Sequence, residues 1–109
     1  MFQIKKYRER LDDLCNSNKA VSKLYFFGSA LSPKFNEEIS DIDVLVEVTD
    51  LSPEECGENL IDLWDNLEIL FNRKVDLLTE KSLRNPFFKR EVEQTKKLIY
   101  DRQSQKVFI

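Results

Sequence analysis

The sequence predicts a two-layer α/β domain, and three observations carry that reading. Short β-branched and aromatic runs are bounded by turn residues, amphipathic helical segments lie between them, and the chain of 109 residues is 41% hydrophobic. Strands separated by helix-period segments argue for helices packed on a sheet. The length suits one core, with residues 1–109 as a single domain.

Ile4, Tyr7, Leu11, Leu14 and Cys15 recur at helical spacing, so residues 2–16 read as an amphipathic first helix that Asn16, Ser17 and Asn18 stop. Val21 to Phe27 has the composition of a strand covered on both faces. Gly28-Ser29 then makes a turn into a short helix start, and Ser32 to Glu38 forms a polar loop. In the next strand Asp41 and Asp43 share one face, while Ile42, Val44, Val46 and Val48 share the other.

Ser52 is a suitable N-cap, Pro53 suits the first helical position, and Glu55 completes a capping-box pattern. Leu60, Leu63, Trp64, Leu67, Leu70 and Phe71 continue that helix as an apolar stripe, which Asn72-Arg73-Lys74 ends. Trp64 and the leucines around it read as core. Val75 to Thr79 is a third strand, with Asp76 and Leu78 on one face; beside the second strand, Asp76 would join Asp41 and Asp43. Asn85-Pro86 starts a last helix to about Lys97, with Phe88, Val92 and Thr95 on one side. Leu98 to Tyr100 reads as a short final strand and Asp101 to Lys106 as a polar tail. These short strands leave open whether the sheet is parallel.

Composition removes several chemistries. There is no histidine and no Cys-x-x-Cys, so no zinc site and no Ser-His or Cys-His nucleophile pair is proposed; Cys15 and Cys56 both fall in predicted helices. Chemistry must run on carboxylates, hydroxyls, lysines and metal. No stretch is long and apolar enough to span a membrane, and the first residues are not a signal peptide, which points to the cytosol. The net charge of -3 argues against an extended nucleic-acid surface. That charge is uneven: residues 81–109 hold eight Lys and Arg against three acids, whereas residues 1–80 hold nine against seventeen. The basic part could face an acidic partner or a nucleotide.

Two adjacent carboxylates repel unless a cation or donor sits between them. Magnesium suits such a pair, because it takes oxygen ligands and is commonly held by one or two carboxylates plus the phosphates of a nucleotide. Gly28 allows a ligand to approach the backbone closely, and Ser29 offers a hydroxyl and an N–H where free amides favour an anion.

Gly28-Ser29, followed by Ser40-Asp41-Ile42-Asp43 inside a hydrophobic strand and later by Lys74-Val75-Asp76-Leu77-Leu78, resembles the minimal nucleotidyltransferases of the DNA-polymerase-β-like superfamily. The resemblance covers most of the chain and implies a short mixed sheet with helices packed against it. It implies two magnesium ions held by Asp41, Asp43 and Asp76, with Asp76 also accepting a proton, and ATP or another nucleoside triphosphate held by Gly28 and Ser29. Family members commonly continue after Gly-Ser with a small residue, an arginine and a glycine, whereas this chain reads Ala30-Leu31-Ser32-Pro33. Lys34 is the candidate substitute, as a point charge without arginine's fork.

Minimal nucleotidyltransferases of this kind frequently act as antitoxins beside a helical HEPN ribonuclease toxin, so the resemblance implies adenylyl transfer to a hydroxyl of such a toxin. The altered segment after Gly28-Ser29 raises a binding-only antitoxin as the alternative, and a transferase acting on a small molecule or RNA end is a further one. One small domain has little surface to enclose both nucleotide and acceptor, so the acceptor is expected to dock from another chain. Tyr25 and Tyr100 read as structural, with Tyr100 also a conceivable modification site. Phe87 and Phe88 read as core packing, with one of them a conceivable partner contact.

Overall fold

The computed structural model describes residues 2–33, 41–104 and 106–107, and of Ser29, Lys106 and Val107 the backbone alone. Three α-helices, α1 (Arg8–Ser17), α2 (Pro53–Phe71) and α3 (Pro86–Thr95), alternate with strands β1 (Val21–Phe27), β2 (Ile42–Val48), β3 (Val75–Thr79), β4 (Lys97–Asp101) and β5 (Lys106–Val107). The sheet order is β3-β2-β1-β4-β5. β1 runs antiparallel to both β2 and β4, and β2 runs parallel to β3, so the sheet is mixed, as the resemblance implied. Parallel neighbours need a long crossover, and α2 supplies it between β2 and β3.

The crossover covers one sheet face. Leu63, Leu67 and Phe71 of α2, with Leu11 and Cys15 of α1, pack on Leu24, Phe26, Ile42, Val44, Val46 and Val75. Each fully buried side chain of this kind contributes about 1.5–3 kcal/mol of transfer free energy. The opposite face carries a smaller cluster in which Val92 of α3 meets Phe27, Leu45 and Leu83. Strand alternation divides the two clusters, since Val44 and Leu45 point to opposite faces.

Local chemistry sets the helix ends. Ser52 Oγ accepts the Glu55 N–H at 3.3 Å with Pro53 at the helix start, and Asn72 closes α2 in the left-handed region at φ 51°. Asn85 Oδ1 accepts from the N–H groups of Phe87 and Phe88, opening α3. α3 stops at Thr95, because Lys97 already belongs to β4.

The first helix differs from the expectation for residues 2–16. A tighter 3-10 turn spans Ile4–Tyr7, and α1 begins only at Arg8. The cause is Phe2, which is buried, stacks on Tyr7 at 5.6 Å and meets Phe71 edge-on at 5.2 Å. Residues five apart on a regular α-helix point roughly 140° apart, so an α-helix from residue 2 would not bring those rings together.

The polar tail also differs. Residues 102–104 turn the chain back, and β5 pairs with β4, Tyr100 opposite Val107. Arg102 anchors the turn: its Nε donates to the Val21 carbonyl at 2.6 Å, and its guanidinium also donates to the carbonyls of Cys15 and Asn18 at the end of α1. A cation there meets the negative end of the helix dipole.

β3 is an edge strand, which leaves backbone groups unpaired by any neighbouring strand. Two side chains of α2 close this edge at Val75. Trp64 Nε1 donates to its carbonyl at 2.7 Å, and its N–H donates to Glu68 Oε2 at 2.9 Å. Trp64 is therefore not a core residue as expected: it is 43% exposed and wraps the sheet edge.

Candidate active site

The parallel pairing of β2 and β3 places Asp43 directly beside Asp76. Both carboxylates are half-buried and lie on the sheet face opposite α1 and α2, since their neighbours Ile42, Val44 and Val75 pack into that larger core. On the other side of β2, Asp43 pairs with Phe27, the last residue of β1. Gly28 follows at once and opens a 3-10 turn over Gly28–Leu31. The consequence is close approach: Gly28 has φ +71°, and a Cβ built on it would collide with Oδ2 of Asp43. A side chain there would adopt a strained backbone conformation and force the Asp43 carboxylate to turn away.

Gly28, Asp43 and Asp76 line a cleft of about 440 Å³. Its walls are Phe27, Leu77 and Leu78 from the sheet, Trp64 from α2, and Phe88, Glu91, Val92 and Thr95 from α3. Phe88 meets Phe27 edge-on at 6.1 Å and remains 40% exposed. Phe87 is 82% exposed, so neither phenylalanine is a core residue in the sense expected, and Phe87 is a surface residue outright.

Of the other candidates, Asp41 is half-buried one residue ahead of β2 and is not among the residues that line the cleft. The side chain of Ser29 and all of Lys34 lie outside the described residues. Among the described residues, no three acidic or cysteine side chains converge as a ready-made metal cage. The donor set nevertheless fits magnesium: two neighbouring carboxylates offer hard oxygens, and phosphate and water supply the remaining ligands in many such sites.

The tyrosines stand apart from this chemistry. Tyr25 donates its hydroxyl to Glu47 Oε2 at 2.8 Å, and burial, followed by that hydrogen bond, pushes its phenol pKa well up. Tyr100 is fully buried and donates to Asn16 at 2.6 Å, so its hydroxyl is not available for modification in the folded chain. Cys15 is buried, Cys56 half-buried, and both are free thiols.

Sequence pattern alone misses Trp64 as a cleft residue, and the spacing explains why. Trp64 shares the periodicity of Leu60, Leu63 and Leu67, and only the proximity of an edge strand turns its ring outward. The α3 wall is more legible, since Phe88, Val92 and Thr95 lie on one side of that helix.

A glycine turn pressed against paired carboxylates, in a cleft with exposed aromatic walls, suits a protein that holds an anionic, ring-bearing ligand through a hard cation. Comparison with known sequences places the chain more narrowly: it belongs to the polymerase beta nucleotidyltransferase family, whose model matches residues 9–105. Two proteins of Methanocaldococcus jannaschii are similar to it over 98 residues, which is 90% of this chain and 94% of each relative. They are "Putative protein adenylyltransferase MJ1379", 34% identical, and "Putative protein adenylyltransferase MJ1217", 32% identical.

Solved structures share the fold. A chain in the crystal structure of a toxin-antitoxin with AMP-PNP superimposes with a TM-score of 0.59 at 24% identity, over 89% of this chain and 76% of that one. A chain in a re-refined structure of the tri-AMPylated Shewanella oneidensis HEPN toxin with MNT antitoxin gives 0.52 at 23% identity, over 92% and 74%. Among the described residues, no helix is long and apolar enough to cross a membrane.

Proposed function

We propose that this chain transfers an adenylyl group from ATP to a hydroxyl of a partner protein, acting as antitoxin to a helical HEPN-type toxin in the cytosol. The observation that carries the reading is the Asp43–Asp76 pair, set side by side by strand register and pressed against the Gly28 turn. Kinship supports it: the M. jannaschii relatives bear the name of protein adenylyltransferases, and a structural neighbour comes from a complex of MNT antitoxin with an AMPylated HEPN toxin.

Each residue has a stated part. The backbone of Gly28 and Ser29 receives the triphosphate, with Lys34 adding positive charge, while Trp64 and Phe88 flank the nucleobase with their exposed rings. Asp41, Asp43 and Asp76 would hold magnesium, which would neutralise phosphate charge and favour ionisation of the acceptor hydroxyl. The acceptor oxygen attacks the α-phosphorus; a new P–O bond forms, the bond to the bridging oxygen breaks, and pyrophosphate leaves with that electron pair. Asp76 takes the hydroxyl proton. Such transfer depends mostly on positioning and charge neutralisation, so a chain without histidine can support it.

One observation favours a second reading. Leu31 stands where an arginine is common after Gly-Ser and a small residue, and it packs against the larger core, so that position offers phosphate no charge. A binding-only antitoxin would retain the partner interaction without catalysis. Intact-mass spectrometry of a HEPN-type partner incubated with this chain, magnesium and ATP separates the two. Addition of AMP by the wild type and none by Asp43→Asn is the expected result. A stable complex with no added mass would replace the transferase with the binding-only reading.

A further inference from the structure

We infer that the outer face of α3 is a docking strip for an acidic segment of the acceptor protein. The inference rests on the protein-acceptor reading above and assigns the surface that reading needs. α3 has two working sides. Phe88, Glu91, Val92 and Thr95 line the cleft. Phe87 is the i−4 neighbour of Glu91 and the i−3 neighbour of Arg90, so Phe87 and Arg90 form a face just beyond the cleft rim.

That face is unlike a merely solvated one. Phe87 is 82% exposed, the most exposed large apolar side chain among the described residues. Arg84, three residues ahead of it, and Arg90, one helical turn on, are exposed and make no ion pair among the described residues, whereas Lys96 at the end of α3 is paired with Glu93 at 3.1 Å. The first turn of α3 contains no acid, so cations close to it oppose the helix dipole instead of complementing it. An exposed aromatic ring flanked by two cations, with Glu91 turned to the cleft, recognises a segment carrying carboxylates, the ring covering apolar stem or an aromatic side chain. A segment held there presents a neighbouring hydroxyl at the cleft mouth.

The same chemistry could attract single-stranded RNA, but the rest of the chain disfavours it. Residues 1–80 hold seventeen acids against nine bases, so a backbone tracking beyond α3 would meet repulsion.

The test uses the full chain and a fluorescein-labelled Glu-Tyr copolymer, with no nucleotide or metal, read by anisotropy. Salt-sensitive binding is expected, weakened at least roughly tenfold by the Arg84→Glu/Arg90→Glu pair and also by Phe87→Ala. ATP-induced change in Trp64 fluorescence should stay as in the wild type for these variants. Equal binding by wild type and variants, no binding at low salt, or tighter binding of an oligouridylate than of the copolymer would overturn the proposal. Adding ATP and magnesium then separates the two readings. Docking lost on charge reversal without any nucleotidyl transfer sinks the transferase alone; transfer to the HEPN-type partner undiminished in the charge-reversed variant sinks the docking strip alone.

Discussion

Gly28→Ala probes the contact on which the site depends. At φ +71° a residue with a Cβ costs about 1–2 kcal/mol relative to glycine. The new methyl also collides with Oδ2 of Asp43, and turning that carboxylate off its rotamer adds about 0.5–1.5 kcal/mol. The expected loss is therefore about 2–3 kcal/mol, enough to lower Tm by on the order of 10 °C in a domain of this size. A double-mutant cycle divides the two contributions. In Asp43→Ala the Oδ2 and Cγ atoms are gone, and the Cβ of residue 43 lies 3.6 Å from where the new methyl would sit, an ordinary contact. On that background Gly28→Ala should cost the backbone strain alone, leaving a coupling of about 1 kcal/mol. Urea unfolding of the four proteins measures it. Equal losses on both backgrounds would refute the close approach of Gly28 to Asp43, and no loss on either would refute the backbone conformation itself.

Other consequences follow from named contacts. Trp64→Phe keeps an aromatic wall but removes the indole donor to the edge-strand carbonyl of Val75, so urea unfolding should show a loss of about 0.5–1.5 kcal/mol. Phe88→Ala should weaken ATP binding by about 1–3 kcal/mol, followed through the fluorescence of Trp64, while inorganic tripolyphosphate, which has no base to stack, binds unchanged. Alkaline stability should fall for an identifiable reason. Burial, then the charge of Asp12, pushes the Cys15 thiol from its ordinary 9.0 up to about 12, and burial raises the Tyr25 and Tyr100 phenols above 10.0. The folded chain keeps protons that the unfolded chain releases, so this stability is full below pH 9.0 and is lost as the pH climbs toward 12. Urea midpoints across that range, with Cys15→Ala as the comparison, check the sign.

Much of this molecule is written in local signals. The Ser52-Pro53 start of α2, its leucine stripe and the alternation of Ile42, Val44 and Val46 against Asp43 can each be read within a few residues, because capping and side-chain period are properties of a short segment. Asp43 and Asp76 can be named from their strands, and Gly28 from its turn. The last helix is also legible from Asn85-Pro86, although its end is not, since pairing of Lys97 into β4 decides where helix gives way to strand.

Other features depend on segments far apart in the chain. Phe2 delays the start of α1 because its ring is claimed by Tyr7 and Phe71. Arg102 turns the polar tail into an anchored hairpin only because the carbonyls of Cys15, Asn18 and Val21 converge on it. Trp64 faces outward because Val75, at the sheet edge, offers it an acceptor, and the exposure of Phe87 is hidden within an aromatic pair that local pattern assigns to the interior.

Residue order alone thus settles the body of most elements, the chemistry available without histidine, and Asp43, Asp76 and Gly28 as candidates for the site. It takes the folded arrangement to set Asp43 beside Asp76, to press Gly28 against Asp43, and to wall the cleft they open into with aromatic rings from α2 and α3. The physical reason is that strand periodicity specifies the face a side chain occupies, whereas its neighbours on that face follow from which strands pair and in what register.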